Sequence, residues 1–289
     1  MHTLHHQTAY SRLHKIVEIN PTYIVGFSVA RRGSAGYNRC MIEALFFIVG
    51  AAIGSFLNVV IVRLHRREGF TVGRSHCPKC RAVIAWYDNV PLFSYVLLVG
   101  KCRNCRKPIS LQYPLVELVT ALLAVWSYVQ FGLSMQLLVN LVFIFALEVI
   151  FVYDLQHQLI PDSLTIPAMI FAFIANVFLG VSIWSLAMGA IIGGGFFALQ
   201  YIVSKGKWVG DGDIRLGAVM GCMLGWQNVL VALFLAYLVG AVIGVTLIIS
   251  RKAKMDQAVP FGPFLAGATI VVLLYGRDLV NWYLNALYF

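Results

Sequence analysis

Four aspartates and four cysteines carry the residue types and spacings in this chain that suggest chemistry. Asp154 follows Val152-Tyr153, Asp162 follows Ile160-Pro161, and Asp211 and Asp213 share the run Gly210-Asp211-Gly212-Asp213. Only 12 acidic residues occur in 289, so four of them in two short motifs stand out. Two carboxylates brought close cannot both ionise easily, and the pair shares a proton. One then activates water while the other protonates a scissile carbonyl. That is the chemistry of an aspartic protease. Gly210 and Gly212 suit such a site, because glycine lets a backbone approach closely and adopt positive φ. Taken singly, each aspartate reads better as a helix cap or an interface marker, and it is two such motifs ending on the same membrane face that weaken that reading.

The cysteines form two pairs, Cys77-Pro-Lys-Cys80 and Cys102-Arg-Asn-Cys105, framing 21 residues. Each pair offers two thiolates from one tight turn, and two turns complete a tetrahedral sulfur site for which zinc is the expected metal. Lys79, Arg81, Lys101, Arg103 and Arg106 favour the thiolate forms. Four sulfurs leave no open coordination position, so the site is expected to be structural rather than catalytic. His76 reads as a solvated neighbour, Cys40 and Cys222 are unpaired, and Cys222 is expected in the core. Two further carboxylates have open readings. Glu148 belongs to the active site or packs protonated inside a span. Glu117, in Tyr113-Pro114-Leu115-Val116-Glu117, contacts a ligand or favours the positive end of a helix. His157 is expected in an exposed loop.

The elements that must position these residues are membrane helices. Hydrophobic residues make up 60% and charged residues 12%, with a mean hydropathy of +0.81. A soluble domain carries about 25% charge, so this chain has too little polar surface for water. Eight apolar stretches, at 41–62, 111–131, 134–153, 163–180, 182–203, 214–226, 227–249 and 260–275, predict an all-α polytopic protein of about eight transmembrane helices. The segment 91–99 is too short to span and reads as interfacial or buried. The net charge of +10 needs no nucleic-acid partner. With the cysteine loop in the cytoplasm, that side gathers ten Lys/Arg between Arg63 and Lys107. It also gathers Lys205, Lys207, Arg215, Arg251, Lys252 and Lys254, whereas the opposite turns carry almost none. All four aspartates then lie at cytoplasmic ends of spans. Residues 1–40 disagree, being basic and without periodicity, and read as a disordered extension or a misassigned start ahead of Met41. The loop 63–110 and the region 111–289 are the other divisions.

In this order the motifs resemble the type IV prepilin peptidases, a family of bifunctional leader peptidases and N-methyltransferases. Gly54-Ser55-Phe56-Leu57-Asn58-Val59-Val60 with Arg63 is similar to the family's first-span motif. The two cysteine pairs follow, then Gly100-Lys101-Cys102-Arg103 and Ile109-Ser110 through Glu117. Asp154 with Ile160-Pro161-Asp162, the Gly210–Asp213 run, and Pro260-Phe261-Gly262-Pro263-Phe264 complete the order. The likeness covers about 41–275 and not the first forty residues. It implies that 111–289 is a membrane aspartic protease domain, with Asp154 and Asp213 as the catalytic pair. Asp162, Asp211, Gly210 and Gly212 would support them, and the zinc loop would be structural. It also implies prepilin or pseudopilin substrates, cleaved after a glycine at the cytoplasmic face of the bacterial inner membrane. The new N-terminal residue would then be methylated from S-adenosylmethionine. Competing readings are a secondary transporter, a zinc-bearing membrane scaffold, and a presenilin-type protease. The acidic motifs sit at a membrane edge rather than its midplane, which argues against transport. A scaffold leaves the aspartates idle, and the presenilin type lacks the cysteine loop.

Overall fold

The computed structural model describes residues 36–66, 69, 75–250 and 260–287. The expected extension lies almost wholly outside them. Its last residues do not: the first described helix, α1 (Gly36–Arg66), begins at Gly36 rather than Met41. A short 3-10 turn (Trp86–Asn89) and α2 (Phe93–Leu97) lie in the cysteine loop. There follow α3 (Gln112–Phe131), α4 (Met135–His157), α5 (Asp162–Phe178), α6 (Ile183–Ser204), α7 (Asp211–Ile249) and α8 (Gly262–Leu287). Among the described residues there is no strand, only the isolated bridges His76–Val83 and Lys101–Pro108.

Among the described residues five helices, α1, α3, α4, α6 and α7, are long and apolar enough to cross a membrane, and α5 and the first part of α8 (Gly262–Gly276) are shorter apolar helices. The protein is therefore an all-α, multi-pass membrane protein. The longest helical run contains two of the eight predicted spans. A straight α7 of 39 residues would reach about 58 Å, roughly twice a bilayer core. It is broken at Gly225, whose φ of 74° and ψ of 173° are not helical. The two limbs double back there. Gly193 of α6 lies against both the Gly217 carbonyl and Val229 Cγ2, positions about 18 Å apart on a straight helix. Reversal strands the carbonyls of Cys222 and Met223, which lose their helical donors. Asn176 of α5 repairs both, its Nδ2 donating at 2.8 and 3.1 Å.

Close packing of small residues holds this hairpin to α6. Gly189 and Gly193 face Gly217 and Gly221 so tightly that a side chain on any of them would strike the other helix's backbone. Spacings of four residues on both helices give the small-residue seam used between helices in lipid, where apolar burial alone supplies no drive. The main core then joins α4 to α8 through Phe143, Leu147, Ile150, Phe197, Leu216, Met220 and Leu265. A second cluster, Leu57, Ile61, Val116, Val149 and Tyr153, ties α1 and α3 to α4. α4 is thus common to both clusters, and its last turn carries Asp154.

Candidate active site and cysteine cluster

Asp154 and Asp213 are brought to the same place from opposite ends of their helices. Asp154 sits in the last turn of α4, which Gln158 closes in the left-handed region (φ 51°) with its N–H on the Asp154 carbonyl at 2.8 Å. Asp213 sits in the first turn of α7, and its Oδ2 accepts the Gly210 N–H at 3.1 Å. Free N–H groups and the helix dipole favour a carboxylate there. Asp154 has the wrong end of its own helix, and the start of α8 compensates. The Gly262 N–H approaches its carboxylate, so close that a Cβ on Gly262 would lie 2.6 Å from Oδ2. Ile160 fills the space between, packing on both Gly212 and Gly262. The two side chains are 4% and 8% exposed, and near enough for their charges to act on each other.

The other two aspartates are exposed and do different work. Arg215 donates from Nη1 to Asp162 Oδ1 at 2.7 Å and from Nη2 to Asp211 Oδ2 at 2.8 Å. One guanidinium thereby ties the start of α5 to the start of α7. Its planar fork reaches two carboxylates at once, which a point-charge ammonium does less well.

The remaining candidates lie elsewhere. Glu148 is buried, with both oxygens on the Thr120 hydroxyl of α3 at 2.8 and 2.9 Å. Six residues before Asp154, it points about 120° away around α4. Glu117 accepts the Leu92 N–H at 2.8 Å and the Ser55 hydroxyl. It joins α1, α3 and the cysteine loop instead of facing the aspartates. His157 corrects another expectation. α4 extends past Tyr153, so His157 is helical and partly buried, stacked on His65 of α1 with ring centroids 3.9 Å apart.

The cysteines converge as their spacing predicts. The sulfurs of Cys77, Cys80, Cys102 and Cys105 all lie within 4.8 Å of one another, with Cys77 and Cys105 at 3.9 Å. A tetrahedral metal with bonds of about 2.3 Å needs sulfurs about 3.8 Å apart. Two knuckles of the same build make this cluster. Cys77 N–H bonds to Ala82 O and Arg81 N–H to Cys77 O, while Cys102 pairs with Lys107 and Arg106 with Cys102, all at 2.9 Å. Arg81 and Arg106 occupy matching left-handed positions. The Ala82 N–H and neighbouring donors lower the Cys80 thiol to about 6. Backbone N–H groups of Cys105 and Asn104 lower Cys102 too. Despite the Lys107 N–H, burial and the other thiols push Cys105 up to about 11. Four thiolates therefore need a cation to coexist, which is what a metal supplies.

Comparison with known proteins agrees with both halves of this arrangement. Residues 48–131 match the Bacterial Peptidase A24 N-terminal domain, and residues 141–245 match the Type IV leader peptidase family. A prepilin leader peptidase/N-methyltransferase of Aeromonas hydrophila is 36% identical over 272 residues, covering 84% of this chain and 93% of the relative. The protein of the same name from Legionella pneumophila is 33% identical over 272 residues, covering 83% and 95%. That from Pseudomonas aeruginosa is 35% identical over 266 residues, covering 82% and 92%. The chain belongs to the type IV leader peptidase family. No solved structure matches it. Membership sets aside the transporter and scaffold readings.

Sequence reasoning about this leader peptidase missed three residues at the site. Arg215 was visible only as a positive charge, although its spacing of four from Asp211 is the helical pairing distance. Gly262 stood inside a recognised motif without a role, and Ile160 looked like ordinary apolar filler.

Proposed function

We propose that this leader peptidase removes the basic leader of type IV prepilins or type II secretion pseudopilins and methylates the new N-terminus. The observation that carries the proteolytic half is the pair of buried carboxylates, Asp154 and Asp213, held at the ends of different helices, with Gly212 and Gly262 packed on the intervening Ile160. With one proton between them, the ionised carboxylate takes a proton from water. The resulting hydroxyl attacks the scissile carbonyl carbon while the protonated carboxyl gives its proton to the carbonyl oxygen. Collapse of the tetrahedral diol breaks the C–N bond: one diol hydroxyl returns its proton to the carboxylate that had protonated the carbonyl, and the proton first taken from water passes to the leaving nitrogen. Asp162, Asp211 and Arg215 hold the two aspartate segments in register, and Gly210, Gly212 and Gly262 let backbone approach the reacting groups.

The fragment that leaves is the mature prepilin, with a free amine at its first residue. That amine takes a methyl group and loses a proton. S-Adenosylmethionine would supply a methyl on a positively charged sulfur, a good leaving group. Cys77, Cys80, Cys102 and Cys105 would hold zinc, fixing the loop without entering the reaction. The basic side of the protein faces the cytoplasm of a bacterial inner membrane, which places the aspartates where a substrate helix meets water. Cleavage follows a glycine at that junction.

Mass spectrometry of a prepilin incubated with purified enzyme, with and without S-adenosylmethionine, tests both halves. A cut after the leader glycine, plus one methyl group only when the donor is present, is expected. A cut without methylation removes the transferase assignment, and no cut by enzyme that retains its metal removes the peptidase assignment.

A further inference from the structure

The cysteine loop contains a segment folded inside out. In α2 the polar residue faces inward: Ser94 is 5% exposed, donates to Tyr87 O at 2.8 Å and accepts the Val90 N–H at 3.1 Å. Phe93, Val96 and Leu97 point outward, as do Val99 and the neighbouring Trp86, which is 80% exposed. In water that arrangement has the wrong sign, since apolar side chains gain by burial and hydroxyls by hydration. An inverted pattern is what a lipid-facing surface requires.

The height of this segment is set by a bond into a membrane helix. Leu92 N–H is held by Glu117 Oε2 at 2.8 Å. Glu117 lies in the second turn of α3, whose 20 residues span about 30 Å and match a bilayer core without slack. Leu92 is therefore pinned about 8 Å along that helix from its loop end. At the loop end of α3, the N-cap residue Leu111 and Leu115 in its first turn are also exposed. The backbone is constrained at both ends of the segment: Leu92 has φ 60° and ψ −50°, and Val99 has φ 51°. Residues with a Cβ rarely adopt such angles unless surrounding structure imposes them. Immediately after it come Lys101, Arg103, Arg106 and Lys107, all exposed. Between residues 75 and 110 the one carboxylate is Asp88, and Arg103 pairs with it at 2.6 Å.

We propose that Trp86, Phe93, Val96, Leu97 and Val99 form an interfacial anchor that inserts into the bilayer at the boundary between headgroups and acyl chains, on the cysteine-loop side. Basic residues 101–107 lie over anionic headgroups beside it. The cysteine cluster then hangs from the membrane by this anchor as well as by its two flanking helices. This surface is separate from the aspartates and takes lipid rather than substrate. Its apolar part matches an interfacial segment that buries about 5–10 Å into the headgroup boundary, and its charge matches an anionic leaflet.

The test is tryptophan quenching in the full-length protein, reconstituted in nanodiscs of phosphatidylcholine and phosphatidylglycerol. The Trp86 signal is the difference between wild type and Trp86→Phe, with metal content and prepilin cleavage compared to show that the fold is kept. Lipids brominated near the glycerol end should quench that signal about twofold more than lipids brominated at mid-chain. Val96→Trp in the Trp86→Phe background should report the same shallow depth. Quenching by aqueous iodide with no effect of either bromolipid would overturn the proposal. So would deeper quenching at mid-chain, or iodide quenching relieved by adding a prepilin, which would assign the patch to substrate.

Discussion

Replacing Gly262 by alanine should disable cleavage while leaving the fold in place. The added Cβ would lie 2.6 Å from Asp154 Oδ2, 3.0 Å from its Cγ and 3.2 Å from Ile160 Cδ1, where ordinary contact starts at 3.4 Å. A carboxylate at the tip of a long side chain would swing away cheaply. Asp154 has a short side chain, is buried, and is backed by Ile160, so it must retreat by about 0.8 Å or drag the start of α8 with it. Misplacement of about 1 Å at a reacting group costs about a hundredfold in rate, equal to about 2.7 kcal/mol of barrier. Gly262 does not have positive φ, so alanine meets no backbone strain and helix α8 should form. The assay is kcat/KM on a prepilin in detergent, with metal content and thermal midpoint as controls. Gly195→Ala, where nothing lies within 4 Å, should cut like wild type. A Gly262→Ala enzyme within about threefold of wild type would refute the close approach of Gly262 to a working Asp154.

Three further outcomes are expected. Arg215→Met should lower cleavage about tenfold but change stability by about 1 kcal/mol or less, because its ion pairs are solvent-exposed; wild-type cleavage would show that the bridge between Asp162 and Asp211 is idle. After metal removal at pH 7, Cys80 should alkylate faster than Cys105, since the thiolate is the reactive form and their thiols lie near 6 and 11; the Cys80 rate itself should fall below pH about 6, and its advantage over Cys105 should shrink only as pH rises above about 6. Equal rates by peptide mapping at pH 7 would contradict the donor pattern of the knuckles. Gly193→Ala drives a methyl group into the Gly217 carbonyl and should destabilise the protein by about 1–3 kcal/mol, so an unchanged thermal midpoint would argue against the tight seam between α6 and α7.

Features set by composition and short spacing were legible in the sequence. Eight apolar stretches become eight helical segments, and two four-residue knuckles converge because each fixes its own pair of sulfurs. Even the junction between the sixth and seventh stretches was near its true place, since Gly225 lies at the end of the former. What stayed hidden depends on partners distant in sequence. Glu148 seemed a candidate beside Asp154 because it is near in the chain, yet helical rotation turns it toward Thr120. Glu117 looked available for a ligand, but a loop N–H twenty-five positions earlier occupies it. His157 was placed in a loop because the apolar run ends at Tyr153, whereas hydrogen bonding carries the helix another turn. Gly262 gains its meaning only when the start of α8 lands on Asp154, more than one hundred residues away.

The most direct test is prepilin cleavage by Asp154→Asn and Asp213→Asn, each purified from membranes with its metal content measured. Asparagine keeps the size of the side chain and removes its ability to exchange a proton, so the fold should survive while the chemistry fails. Each variant should retain metal like wild type and leave the prepilin uncut. Full cleavage by either would show that the buried carboxylate pair is not the catalytic centre.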